Sequence, residues 1–226
     1  MDETSVGSNR HRVIADAAAL RSRLQHVYWI GGGSGAGKST VARRLAARYG
    51  LHLYATDDVM SDHAGRSTRE DSPFLSEFAA MDMDERWVNR SPEVMLETFH
   101  WYRGEGFDLI LEDLLRLPGE PRVIVEGFRA LPGLVKPLLT VPSHAVWLAP
   151  TPEFRWSAFE SRGSTWSIAS RTGNPGKALH NLLERDRLFT SRLLAEVKGL
   201  GLYAIEVEET MTEDDLVEEV AGLFEL

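Results

Sequence analysis

The chain has 226 residues, of which 43% are hydrophobic and 26% are charged, and its formal net charge is −9. Length and composition predict a folded chain with one sizeable core, and the acidic balance disfavours a nucleic-acid partner. No cysteine is present, which excludes disulfides, thiol catalysis and cysteine-bound metal. No apolar run approaches the roughly 18 to 20 residues of a membrane helix, and the N-terminus lacks a signal-peptide pattern, so we expect a cytoplasmic protein without a membrane partner. The expected oligomeric state is a monomer or a homodimer.

The predicted elements begin with an N-terminal extension, residues 1–26, in which Arg10 to Leu24 has the apolar spacing of an amphipathic helix. Along residues 27–226, short apolar runs alternate with helical patterns, which predicts a parallel sheet with helices on both faces, an α/β fold. The predicted strands are Val27–Ile30, Leu51–Ala55, Val123–Val125, Ala145–Leu148 and Leu202–Val207. The predicted helices include Lys38–Tyr49, ended by Gly50, and Asp214–Phe224, opened by Thr212.

A glycine-rich loop follows the first predicted strand and opens the first of these helices. Gly32 to Ser39 satisfies G-x-x-x-x-G-K-[ST], in the strand-to-helix context that the motif requires. Such a loop turns backbone N–H groups towards one anion, Lys38 reaches the β- and γ-phosphates, and the Ser39 hydroxyl ligates Mg²⁺. The alternative, a plain glycine-rich turn, is disfavoured by the flanking elements. We therefore expect Mg-ATP bound by Gly33, Ser34, Gly35, Ala36, Gly37, Lys38, Ser39 and Thr40.

Two carboxylates, Asp57 and Asp58, directly follow the second predicted strand. The carboxyl ends of parallel strands meet at one edge of the sheet, so both are expected near Lys38. Phosphoryl transfer to an alcohol needs a carboxylate that orients the hydroxyl and takes its proton. Asp57, the nearer to the strand, is the first candidate for this base and a candidate metal ligand, and Asp58 is the second. The alternative is that the pair only caps the next helix.

Glu126 ends the third predicted strand, in the run Val-Ile-Val-Glu-Gly. This is the position of a Walker B acid, where a carboxylate can hold Mg²⁺ through water or contact the acceptor. Arg129 lies three residues further on and can pair with Glu126 or face the substrate. The alternative for Glu126 is a solvated acid at the end of a strand.

Two intervals, 59–121 and 151–200, are longer than one crossover helix needs, and we expect helical excursions over the carboxyl edge of the sheet. The second has a stretch expected to be flexible, Gly163 to Gly176, and a predicted return helix, Lys177 to Val197. This pattern predicts that the 151–200 interval is a mobile lid whose guanidinium groups neutralise charge on the phosphoryl group during transfer. Surface salt bridges are the alternative for any one of these arginines. The lid arginines are Arg155, Arg162, Arg171, Arg185 and Arg187.

The first interval, 59–121, is expected to bind the acceptor. Its aromatic and basic residues either wall a pocket for a polar, ring-bearing or anionic molecule or form the core of a helical insertion, and a lone histidine there, His100, reads as structural. These residues are Arg66, Arg69, Phe78, Arg86, Trp87, Arg90, His100, Trp101, Tyr102 and Arg103.

Together these features make the chain resemble the small P-loop kinases of metabolites, among them nucleoside and nucleotide kinases, uridine kinase, gluconate kinase and chloramphenicol phosphotransferase. The resemblance spans Val27 to Val207 and rests mainly on the P-loop. It implies a five-stranded parallel sheet in the order 2-3-1-4-5, Mg-ATP as the phosphoryl donor, Asp57 as the acid that activates the acceptor, and a lid near Arg162. Arg162 is then a catalytic and ATP-binding candidate, and Arg171 a substrate-binding one. The chain departs from the pattern where no aromatic follows Asp57, and where 59–121 matches no acceptor-binding pattern.

The function expected from this resemblance is ATP-dependent phosphorylation of a hydroxyl on a small molecule such as a nucleoside, sugar, sugar acid or antibiotic. A P-loop ATPase and a nucleotide-binding regulator remain as alternatives. A GTPase is disfavoured, because the chain has no N/T-K-x-D run and its third strand ends in Glu-Gly-Phe instead of Asp-x-x-Gly.

Overall fold

A computed structural model of the chain describes residues 18–151 and 164–226. Two of the predicted lid arginines, Arg155 and Arg162, lie outside the described residues. Most of the predicted N-terminal helix lies outside them too, and of that segment residues 18–23 are helical.

Five strands form one parallel sheet in the order β2-β3-β1-β4-β5. The order confirms the predicted α/β class and strand sequence, and each predicted strand is found with bounds shifted by no more than a residue or two. The first strand continues two residues beyond its predicted end at Ile30, because Gly31 and Gly32 pair with Trp147 and Leu148 of the fourth strand. The strands are β1 Val27–Gly32, β2 His52–Ala55, β3 Val123–Glu126, β4 Ala145–Pro150 and β5 Tyr203–Val207.

Helices connect the strands, and several begin where the sequence supplies a cap. Thr212 caps the last helix through its side chain, with three acidic residues in the first turn favouring the positive end of the helix dipole. Asn174 caps the long helix that returns from the lid interval, and Pro175 opens it. The helices are α1 Lys38–Tyr49, α2 Met60–Arg66, α3 Pro73–Ala80, α4 Met83–Trp87, α5 Pro92–Thr98, α6 Phe107–Arg116, α7 Pro132–Val135, α8 Ser164–Ala169, α9 Pro175–Gly199 and α10 Glu213–Phe224. Single 3-10 turns lie at His100–Arg103, Lys136–Leu138 and Pro142–His144.

The sheet separates two hydrophobic layers, because successive side chains of a strand point to opposite faces. Trp29 of β1 packs with α6 and α9 on one face, and Ile30 packs with α1 and α10 on the other. Both are almost completely buried. The two layers hold the carboxyl ends of the strands at one edge, where the predicted site residues lie.

A third, smaller hydrophobic cluster joins the 59–121 interval to the lid interval. It contains Trp87, Val88 and Met95 from α4, α5 and the turn between them, together with Ala169, Ala178 and Leu182 from α8 and α9. The helix α8 falls within the stretch Gly163 to Gly176, so residues 164–169 are helical, and the mobility expected of this stretch stays a prediction. Ala169, at the end of this helix, is buried against the insertion.

Among the described residues, the structure has no helix with the length and apolar character to cross a membrane.

Candidate active site

The P-loop occupies the turn between β1 and α1. Gly33 donates its N–H to Leu148 O at 3.1 Å, which fixes the start of the loop against β4. A Cβ at Gly33 would lie 2.4 Å from Oγ1 of Thr190 on α9, so a larger residue cannot stand there without displacing α9. Gly37, at the end of the loop, has φ 79°, a left-handed conformation that glycine adopts without strain. The sequence therefore dictates a loop that is clamped between β4 and α9.

The helix α1 presents an open N-terminus to this loop. No side chain caps it, and its first turn carries no acidic residue. The backbone N–H groups of residues 34–37 donate to no backbone oxygen within the described parts of the chain. Unpaired N–H groups at the positive end of a helix dipole make an anion-binding site, so the loop is suited to phosphate.

Lys38 lies across the mouth of the loop. Its Nζ donates to Gly33 O at 2.7 Å, which places the ammonium over the N–H groups. The same ammonium lowers the pKa values of both Asp57 and Glu126 by its charge, so the cation and the two carboxylates share one edge of the sheet.

Glu126 stands at the end of β3, in register with Ile30 of β1 and Ala55 of β2. Its side chain is buried, and burial raises the pKa of its carboxyl above the ordinary value. The Lys38 ammonium and the Ser39 hydroxyl oppose that rise by stabilising the charged form, which places both groups beside the carboxylate. A carboxylate and a hydroxyl oxygen are ligands that Mg²⁺ accepts.

Asp57 lies just beyond the end of β2, next to Thr56, whose N–H donates to Glu126 O at 2.9 Å. The Asp57 side chain is exposed at the edge of the sheet. Surrounding protein nonetheless desolvates its carboxyl and raises its pKa, against the opposing effects of Lys38, Thr56 and Arg129. Asp58, also exposed, lies close enough to raise the pKa of Glu126. The arrangement leaves Asp57 accessible to a ligand and close to the phosphate loop.

The oxygen ligands for a metal are few at this edge. Within residues 18–151 and 164–226, no group of three or more histidine, aspartate or glutamate side chains is arranged to hold a metal ion. Ser39, Glu126 and Asp57 offer one hydroxyl and two carboxylates. Such a donor set fits Mg²⁺, which is usually bound by one or two carboxylates with the remaining positions taken by phosphate oxygens and water.

Arg129 is buried behind Asp57 and is held by protein groups. Its guanidinium donates to Gly106 O at 2.8 Å and to Thr56 O at 3.5 Å. It also lies 4.1 Å from the ring centre of Trp101, and burial lowers its pKa to about 10. These contacts tie the 59–121 interval to the residue before Asp57, so the contact of Arg129 with substrate stays a prediction.

The arginines of the lid interval have separate environments. Arg171 is exposed in the turn between α8 and α9, and Arg187 forms a surface ion pair with Glu184. Arg185 is buried, and two of its guanidinium nitrogens bind Asp186 Oδ1. The structure therefore does not bring the described lid arginines together as a cluster, and the roles predicted for Arg162 and Arg171 stay predictions.

Sequence reasoning missed two features of the site region. Thr190 packs on Gly33 from a helix far along the chain. Asp113 of α6 accepts hydrogen bonds from Tyr54, His63 and Arg66, and so binds α2 to β2 and α6. Neither feature has a local sequence pattern, because the contacts join distant segments.

A cavity of about 320 Å³ opens at the carboxyl ends of β4 and β5 and is lined by Thr151, Glu208, Glu209 and Thr210. It lies at the same edge of the sheet as the P-loop, on the side away from Asp57, because β4 and β5 follow β1 in the strand order whereas β2 and β3 precede it.

The strand order with a G-x-x-x-x-G-K-S loop after the central strand defines a P-loop nucleotide-binding fold of the kinase type. The sequence model of the shikimate kinase family matches residues 34–71 of the chain. That segment holds most of the P-loop, α1, β2, Asp57 and α2. The match supports the class of P-loop kinases that act on small molecules.

No curated protein matches the chain. Among solved structures, an uncharacterized protein from Eubacterium ventriosum ATCC 27560 is similar at 14% sequence identity, with a TM-score of 0.46, over 89% of this chain and 98% of that chain.

Proposed function

We propose that the protein is a kinase that transfers the γ-phosphate of Mg-ATP to a hydroxyl group of a small molecule. The observation that carries the proposal is the meeting of Lys38, Asp57 and Glu126 at the mouth of the P-loop, where Lys38 acts on the pKa of both carboxyls. An accessible carboxylate at this place can take the proton of an acceptor hydroxyl, which supports a kinase.

The donor site uses the loop and the neighbouring strand ends. The unpaired N–H groups of residues 34–37 and the Lys38 ammonium hold the phosphates. The nucleoside occupies the cavity by Thr151 and Glu208, on the β4 and β5 side of the loop. Ser39 and Glu126 would hold Mg²⁺, and a bound Mg²⁺ would neutralise charge on the phosphates.

The acceptor site lies on the other side of the loop, below the 59–121 interval. Asp57 accepts a hydrogen bond from the acceptor hydroxyl and takes its proton as the oxygen attacks the γ-phosphorus. The bond from the γ-phosphorus to the bridging oxygen then breaks, and ADP leaves. The raised pKa of Asp57 suits this role, because a carboxylate with a higher pKa is a stronger base.

The test is incubation of the protein with Mg-ATP and pools of hydroxylated metabolites, followed by mass spectrometry for a phosphorylated product. Shikimate belongs in the pools because of the family match over residues 34–71, together with sugars, sugar acids, nucleosides and antibiotics. A phosphorylated acceptor that appears with ADP, and that Asp57→Asn abolishes, supports the proposal. ADP release that no acceptor accelerates supports an ATPase instead, and binding without ADP release supports a regulator.

A further inference from the structure

Gly33 is a glycine that the phosphate-loop motif itself does not require. The motif G-x-x-x-x-G-K-[ST] fixes Gly32 and Gly37, whereas Gly33 stands at a variable position. Gly32 and Gly37 also have positive φ values, and Gly33 does not, so the backbone at residue 33 is open to residues other than glycine. The reason for a glycine at this position therefore lies in the side chains that surround it.

The neighbouring side chain is that of Thr190 on α9. A Cβ at residue 33 would lie 2.4 Å from Oγ1 of Thr190, 3.1 Å from its Cγ2 and 3.3 Å from its Cβ. Thr190 is 4% exposed, and its hydroxyl donates to Asp186 O at 2.8 Å, which fixes the orientation of the side chain. The Asp186 carboxylate in turn accepts from the Tyr102 hydroxyl at 3.0 Å. Thr190 therefore packs against Gly33 from a helix that is itself anchored.

The backbone of Gly33 is held by a strand and holds the lysine of the loop. Its N–H donates to Leu148 O at 3.1 Å, and its carbonyl oxygen accepts from Nζ of Lys38 at 2.7 Å. The position of Gly33 therefore sets where the ammonium stands relative to the N–H groups of residues 34–37. A displacement of Gly33 away from α9 would move the ammonium or break its hydrogen bond.

We infer that Thr190 is a positioning residue for phosphate binding, which packs on Gly33, fixes the carbonyl that holds the Lys38 ammonium, and so sets the affinity of the loop for nucleotide. It acts through Gly33 and Lys38, and not by contact with the phosphates. The inference rests on the proposed Mg-ATP site and extends the set of residues that shape it into the lid interval.

Threonine suits this place better than its apolar counterpart, valine. An oxygen is smaller than a methyl group, and the hydrogen bond to Asp186 O keeps the oxygen, and not the Cγ2 methyl, nearest to Gly33. Because interiors are close-packed, even one extra methyl at such a contact displaces its neighbour.

The first test is a pair of substitutions at residue 190, measured by calorimetric titration with Mg-ADP. Thr190→Ser keeps the hydroxyl, so its affinity should stay within about twofold of wild type, whereas Thr190→Val crowds Gly33 and should lose at least about fivefold. The control is Ser191→Ala on the same helix. The Ser191 hydroxyl also donates one turn back, to Arg187 O at 3.0 Å, but this residue is exposed, so the affinity for Mg-ADP should not change.

A size swap tests the contact itself. Gly33→Ala adds the Cβ that meets Thr190 and should weaken Mg-ADP binding at least about tenfold. Thr190→Ala removes Oγ1 and Cγ2, and the Cβ that remains is 3.3 Å from the added methyl. In the double variant the affinity should therefore recover to within about threefold of that of Thr190→Ala alone. A general loss of stability gives no such recovery, and urea unfolding checks that each variant is folded.

Three outcomes separate this inference from the proposed function. Losses that add in the double variant, or wild-type affinity for Mg-ADP in Thr190→Val, would overturn the inference. A wild-type protein that does not bind Mg-ADP would overturn the inference and the donor site together. If Mg-ADP binding responds as expected but no acceptor is phosphorylated, the proposed function fails and the role of Thr190 stands.

Discussion

At the scale of residues, the site separates a group that binds phosphate from a group that handles a proton. Lys38 touches the loop itself through Gly33 O, whereas Asp57 stands beyond β2 with its side chain exposed. Both belong to one electrostatic cluster, since desolvation by the surrounding protein raises the pKa of Asp57 and the charge of Lys38 opposes that rise. Replacing either residue should therefore reduce turnover, but for different reasons.

The first prediction compares Lys38→Ala with Asp57→Asn. Loss of the ammonium removes charge from the β- and γ-phosphates, so ATP binding should weaken at least tenfold. Loss of the base should leave ATP binding within about twofold and lower kcat by about 10² to 10⁴. Calorimetric titration with ATP and steady-state kinetics check both. An equal loss of ATP affinity in the two variants would contradict the role given to Asp57. Asp58→Asn, at the second candidate for the base, shows which of the two carboxylates takes the proton.

The second prediction concerns pH. The surrounding protein desolvates the Asp57 carboxyl and raises its pKa above the ordinary value, and a base must be ionised to take a proton. Activity should therefore fall as the pH is lowered through the raised pKa, so that the acid limb of kcat is centred above about pH 4.

The pH profile of kcat at saturating Mg²⁺ measures that limb. In Asp57→Asn the residual activity should show no such limb. In Glu126→Gln the limb should remain, because that residue is assigned to the metal and not to the proton. A limb that survives in Asp57→Asn would show that another group is the base.

At the scale of elements, α2 is held in place by one carboxylate of a neighbouring helix. Asp113 on α6 accepts from Tyr54 at 2.9 Å, from His63 at 2.8 Å and from Arg66 at 2.9 Å. Because α2 directly follows Asp57 and Asp58, this contact sets where the two carboxylates stand. Burial alone would raise the pKa of Asp113, but the hydrogen bonds from its partners outweigh it and lower that pKa to about 2.

The third prediction is that Asp113→Asn lowers the free energy of unfolding by about 1 to 2 kcal/mol at pH 7. The expected loss is smaller than for a fully buried network, because 19% of the Asp113 side chain is exposed to solvent. A carboxyl whose folded pKa lies below its unfolded value stabilises the fold above the unfolded pKa near 3.9, and that contribution is lost as the pH falls towards 2.

Urea unfolding at pH 7 and at pH 2.5 measures the effect. The difference between wild type and Asp113→Asn should be larger at pH 7 than at pH 2.5. A difference that does not change with pH would show that the charge of Asp113 is unimportant. Asp108→Asn, an exposed acid on the same helix, provides the control.

The same elements show what the sequence could predict. The bounds of α1 and the positions of the five strands, to within two residues, follow from local patterns and were predicted from the sequence. The contact of Tyr102 with Asp186 joins residues 84 apart, and that of His63 with Asp113 joins residues 50 apart, so no local pattern reports them. The sequence also left open whether Trp87 and Trp101 form a pocket or a core. The structure buries both, which only the packed chain reveals.

At the scale of the whole molecule, the 59–121 interval and the described part of the lid interval behave as one packed unit. Asn181 of α9 donates to the carbonyls of Trp87, Val88 and Arg90 at 3.1 to 3.3 Å. Asp84 of α4 accepts from the N–H of Gly173 at 2.7 Å. The two intervals therefore share both a small core and polar contacts.

The fourth prediction is that Asn181→Ala loosens both intervals together. Three carbonyls lose their donor, so amide hydrogen exchange should accelerate in residues 83–98 and in residues 164–182, while exchange in β1 and β3 stays unchanged. Exchange mass spectrometry measures both regions in one experiment. Faster exchange confined to one interval would show that they are not one unit, and Asn89→Ala, at an exposed position on α4's C-terminal side, is the control.

The pairing of the strands also limits the order in which parts of the protein can fold. The central strand β1 lies between β3 and β4, whose residues come much later in the chain. The P-loop contacts Leu148 of β4 and Thr190 of α9, which comes later still. A topology built from such distant pairings folds slowly. The residues of the P-loop lie near the start of the chain, but during synthesis the loop cannot make its contact with α9 until α9 has left the ribosome. The gain of nucleotide affinity therefore marks a late stage of folding.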